Sequence, residues 1–122
     1  MNDEVYAFAK AHSRIEAGVR VADSAALVVL KASAYMNLLR DKREGKHVNE
    51  KDLRKHRTDV ARLLFAETWD EPVAVPEGIG ATLEAFVEEV RTRSLQSIAD
   101  ALRVPVEVAN ELIGGMRGIF NF

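Results

Sequence analysis

The chain contains no cysteine. Disulfides, thiolate metal sites and a cysteine nucleophile are thereby excluded, and the composition fits a reducing compartment. Proline is scarce, at three residues, and aromatic side chains make up only 7%. No apolar run approaches the roughly 20 residues that a membrane span requires. The opening MNDEVYAFAK has early acids and no apolar h-region, which is not the pattern of a signal peptide. The expectation is a cytoplasmic protein that does not enter a membrane.

What is present is a chain of 122 residues, 48% apolar and 30% charged. That is the make-up of one globular domain with a core of useful size. The formal charge of −2 conceals a division. Residues 31–62 carry ten Lys/Arg and five Asp/Glu, whereas the remainder carries seven and fourteen. A basic middle between acidic flanks points to a local anion-binding surface rather than to general affinity for nucleic acid. The plainer alternative is a solvated helix face laced with ion pairs.

Cap and stop signals predict an all-α fold of five or six helices in an orthogonal or bundle-like array. The first is expected from Asp3 to Ala17, with Val5, Phe8, Ala9 and Ile15 on its apolar face and Gly18 as its stop. Val19–Ala22 alternates and reads as a short extended segment. The second helix opens at Asp23 or Ser24, runs to about Glu44 and stops at Gly45. The third follows Asn49 and reaches about Glu67. Trp69–Pro76, with two prolines, is the best boundary in the chain. It divides residues 1–75, which hold a basic hairpin at 31–64, from a C-terminal helical subdomain at 76–122, the two packed as one unit. Beyond it, helices are expected at about Gly80–Arg93, at Ser94–Leu102, and after Val104 with Pro105 in the first position.

On a helical wheel, Leu53, Val60 and Leu64 fall within about 20° of one another and form the buried stripe of the third helix. Asp52, Lys55, Asp59 and Arg62 share one flank, and His56 lies at the edge of the core. Asp52 and His56, and likewise Lys55 and Asp59, are four apart and can meet on the helix surface. On the second helix, Lys31 sits between Leu30 and Ala32. A lysine there needs an anionic partner or a route to water.

The segment resembles the C-terminal helical half of the AbiEii-type nucleotidyltransferases, a family that includes toxins of toxin–antitoxin pairs. The residues that carry the likeness are Leu30-Lys31 with Ala34, then Arg40 and Arg43, then Gly45-Lys46-His47-Val48, and above all the run from Lys51 to Val60, KDLRKHRTDV. The resemblance implies that Lys31 contacts nucleotide phosphates and that Asp52 completes the site. Lys46, Lys55, His56 and Arg57 would then shape a basic rim. It also implies Mg2+ and a nucleoside triphosphate for the parent enzyme, and an antitoxin or RNA acceptor as further partner. The Gly-Ser and Asp-x-Asp motifs that bind metal in such enzymes are missing before Lys31. Two-metal nucleotidyl transfer needs those carboxylates. The chain therefore reads as a C-terminal fragment that does not catalyse alone. A separate interaction domain, binding an antitoxin or nucleic acid, is the alternative.

Other chemistries find little support. The histidines at 12, 47 and 56 have no metal-ligand spacing, and no metal site is expected. No serine has a G-x-S-x-G context. Residues 94–113, SLQSIADALRVPVEVANELI, have the rhythm of a helix-turn-helix, with Ile98, Ala99 and Leu102 packing and Val106–Ile113 as second helix. That second helix carries Glu107 and Glu111 and no cation, so DNA is an unfavoured partner.

Overall fold

The computed structural model describes residues 3–122. Its elements, in chain order, are α1 (Asp3–Ala11), β1 (Ser13–Glu16), β2 (Val19–Ala22), α2 (Ser24–Arg43), α3 (Glu50–Ala66), α4 (Glu77–Arg93), α5 (Leu95–Leu102), α6 (Val106–Gly114) and α7 (Met116–Ile119). The fold is all-α in substance. Six helices, a final single turn and one small antiparallel hairpin make up the described residues.

The first helix is shorter than the sequence predicts. It ends at Ala11, and residues 13–16 form a strand against 19–22 with Ile15 opposite Arg20 and Glu16 opposite Val19. The reversal is made by Ala17 at φ 50° and Gly18 at φ 78°. Two consecutive left-handed residues are what a two-residue turn between twisted strands demands. Gly18 thus serves a hairpin rather than a helix end. Ile15 is 65% exposed, so it belongs to no helical core face.

Helix α2 is the spine. Asp23 caps it, accepting from the Ala26 amide at 2.8 Å. Ala25, Ala26, Val28, Val29 and Ala32 are buried together, because α1, α3 and α4 all pack on this helix. It ends in a Schellman arrangement, with Gly45 at φ 84° and amide bonds from Gly45 to Lys42 and from Lys46 to Asp41. Helix α3 runs back antiparallel, capped by Asn49, which accepts from the amides of Lys51 and Asp52.

Helix α4 starts at Glu77, three residues before the expected Gly80, and has no cap of its own at Pro76. Glu4 of α1 supplies one, accepting from the Ile79 amide at 2.9 Å. A single apolar core runs through the molecule. Leu83, Phe86, Val87 and Val90 of α4 meet Val28 and Val29 of α2, Val60 of α3 and Ile113, Met116 and Phe120 of the C-terminal elements. Tyr35 stands edge-on to Phe86, at 5.4 Å between centroids. The Trp69–Pro76 loop is pinned by the Trp69–Phe120 ring contact and by the Val73 amide, which donates to Ile119 at 2.6 Å.

Helices α5 and α6 meet across a tight turn in which Arg103 is left-handed (φ 58°, ψ 47°) and the Val104 amide donates to Ala99. Ile98 and Ala99 are buried there, as the helix-turn-helix rhythm requires. Pro105 is the N-cap of α6 rather than its first residue. Among the described residues no helix is long and apolar enough to cross a membrane.

Candidate anion-binding groove

Helix α3 divides cleanly between core and surface. Leu53, Val60, Ala61 and Leu64 are buried. The opposite face bears Lys51, Arg54, Lys55, Thr58 and Arg62, at spacings of three, four, seven and eleven from the first. Such spacing keeps all five on one side of a helix. Helix α5 lies beside that face. The two enclose a groove of about 480 Å³, floored by Arg57 and walled on the α5 side by Ser97, Asp100 and Ala101.

The cations here differ from those of the hairpin turn. Lys42 pairs with Glu50 at 2.6 Å, Arg43 with Glu89 at 2.9 Å, and Lys46 with Asp41 and Glu44 at 3.6 and 3.3 Å. The hydrogen bond from Lys42, reinforced by its charge and that of Arg54, holds the Glu50 carboxyl below the usual carboxylate range. Among the described residues no carboxylate comes within ion-pair distance of Lys51, Arg54, Lys55, Arg57 or Arg62. Five positive charges of α3 thus line the groove, with a single acid among its lining residues, Asp100 on the far wall, itself engaged by Gln96 at 2.9 Å. A low-dielectric wall behind such a row strengthens its field and raises the local anion concentration.

Arg57 is the most informative member. It is half-buried, and its Nη1 donates to Ser94 Oγ at 3.0 Å. Its Nε is buried without a hydrogen-bond partner. An unmet buried donor costs roughly 1–3 kcal/mol, and more on a charged group. Ser33 Oγ and His56 Nδ1 share that condition, but neither residue lines the groove.

The residues expected at the site scatter. Lys55 and Arg57 come together in the groove. Lys31 does not join them: its Nζ lies 3.0 Å from Asp59 Oδ2, with the two side chains 28% and 21% exposed. The half-buried lysine therefore has an anionic partner, on the facing helix. Asp59 being so engaged, the Lys55–Asp59 pair does not form, and Asp52 and His56 do not pair either. Asp52 is exposed in the first turn of α3, seven residues and about 10 Å along the helix from Asp59. It thus stands apart from Lys31. Lys46 lies past the end of α2 among its own acids. Lys51, Arg54 and Arg62 are groove residues that the sequence reading left out of the site, although their spacing from Lys55 was a sufficient signal. Ser97 and Asp100 had no signal, because only the packing of α5 on α3 brings them there.

Among the described residues no three His, Asp or Glu side chains gather so as to hold a metal ion.

The class defined so far is a helical domain with a helix-turn-helix-like pair and a basic groove. No protein-family model, no curated protein and no solved structure matches the chain. The likeness of α2 and α3 to AbiEii-type enzymes rests on their sequence pattern alone.

Proposed function

We propose that this chain is a phosphate-holding helical domain, the polyphosphate-facing part of a nucleotidyltransferase. Lys55 and Arg57, with Lys51, Arg54 and Arg62, bind the anion, and Ser94 orients Arg57. The observation that carries this reading is the α3–α5 groove, none of whose cations has a carboxylate within ion-pair distance, whereas Lys42, Arg43 and Lys46 around the α2 terminus do. The reaction type is supported by the KDLRKHRTDV pattern. Lys31, held by Asp59, acts in the fold, and Asp52 has no reacting partner nearby.

A second reading is a non-enzymatic domain whose groove receives an acidic partner such as an antitoxin. The separation of Asp52 from Lys31 favours it. The two readings share the groove and differ in the occupant.

Titration calorimetry of inorganic tripolyphosphate and of a nucleoside triphosphate at low salt tests the reading. Binding should fall by about tenfold or more in Arg57→Ala and in Lys55→Ala, since each charge-assisted contact is worth about 1.5–3 kcal/mol. Unaltered affinity in both variants, or no binding by the unaltered chain, would refute it.

A further inference from the structure

The basic row on α3 is longer than a nucleotide. Lys51 and Arg62 are eleven residues apart, about 16 Å along the helix. A triphosphate links its phosphorus atoms through single oxygens and covers only a fraction of that length. A nucleic-acid strand advances by about 3.4 Å or more per phosphate, so the row matches roughly three to five successive phosphates.

The row also ends on an aromatic ring. Phe65 lies three residues beyond Arg62, on the same side of α3 as Arg54 and Thr58, and is 55% exposed. A large apolar ring held open at the end of a line of cations has no role in the core. It has the form of a stacking surface for an unpaired base. The far wall adds Ser97 and Asp100, hydroxyl and carboxylate groups suited to base or sugar edges rather than to phosphate.

A duplex fits less well. Helix α6, which a helix-turn-helix would set into a groove of DNA, exposes Glu107 and Glu111 and carries no Lys or Arg. The acids repel a phosphate backbone from that side, and stacking on Phe65 needs a base free of its partner.

We propose that the α3–α5 groove takes an extended single strand of nucleic acid, with its phosphates along Lys51, Arg54, Lys55 and Arg62 and one base stacked on Phe65. This rests on the anion-binding reading of the groove and assigns the full row to a polynucleotide partner rather than to a nucleoside triphosphate alone.

Fluorescence anisotropy of a labelled single strand of about ten nucleotides provides the test. An abasic strand of the same length, the matching duplex and inorganic polyphosphate serve as further arms. The intact single strand should bind tighter than the abasic strand and the duplex. Phe65→Ala and Phe65→Leu should weaken the intact strand by about tenfold, as loss of a stacked base does, while leaving polyphosphate affinity unchanged. Phe65 is exposed, so neither substitution threatens folding. If the Phe65 variants bind the strand like the unaltered chain, or the duplex binds as well as the single strand, the inference is overturned. Retained polyphosphate binding would then leave the anion groove standing. Failure of every ligand at low salt, polyphosphate included, would remove the groove reading and this inference with it.

Discussion

Lys31 and Arg57 show how partners decide what a cation does. Both are half-buried, yet Lys31 meets Asp59 at 3.0 Å whereas Arg57 has only a neutral serine. The first is an ion pair, whereas the second has no carboxylate within ion-pair distance. Lys31→Ala should therefore lower unfolding stability by about 1–3 kcal/mol, by leaving the Asp59 carboxylate without its partner. It should leave tripolyphosphate affinity unchanged. Urea unfolding and calorimetry on the same variant check both halves, and a selective loss of affinity with normal stability would restore Lys31 to the binding site. The sequence made plain that Lys31 needed an anionic partner or a route to water. It could not show which acid of α3 would serve, because Asp52, Asp59 and Glu50 all lie on that helix and only the crossing of α2 and α3 selects among them.

At the level of elements, strong end signals translated directly into structure. Asp23, Asn49 and Gly45 sit where their chemistry demands, and α2 and α3 begin and end within a residue or so of expectation. The failure came at residues 12–18, where apolar positions at 5, 8 and 9 lead smoothly to 15 and hide a change of period. Ser13-Arg-Ile-Glu and Val19-Arg-Val-Ala alternate, but a pair of four-residue strands is too short for alternation to outweigh a preceding helical pattern. The Ala17-Gly18 turn, lacking the Asn-Gly signature, gave no further warning. The cap that Glu4 provides to α4 was invisible for a different reason, since it joins residues 75 positions apart. The helix-turn-helix pair was legible as rhythm, and in the structure Arg103 occupies the left-handed position of its turn, where glycine is common. Arg103→Gly should raise stability by about 0.5–1 kcal/mol, as relief of the left-handed penalty outweighs the entropy of glycine. A thermal midpoint a few degrees higher is the expected result, and a lower one would mean that Arg103 makes compensating contacts in the folded state.

Across the whole molecule, charge is sorted rather than merely unequal. The sequence located the positive segment, residues 31–62, but not which of its cations are paired. Lys42, Arg43 and Lys46 are tied to Asp41, Glu44, Glu50 and Glu89, and Arg117 in α7 is tied to Glu84, whose carboxyl its hydrogen bond and charge hold below the usual range. Those on the exposed face of α3 remain open toward α5. Packing sets part of this, because Glu89, which pairs with Arg43, comes from α4, whereas Lys46 is paired locally by Asp41 of α2 and by Glu44 at its C-cap. The most direct measurement is nuclear magnetic resonance of the arginine and lysine side-chain nitrogens during addition of tripolyphosphate, which reports on every cation at once. The resonances of Arg57, Arg54, Arg62, Lys51 and Lys55 should shift together and saturate, with those of Lys31, Lys42, Arg43, Lys46 and Arg117 unmoved. Movement confined to the paired cations, or an Arg57 side chain that stays still while the anion binds, would contradict the account.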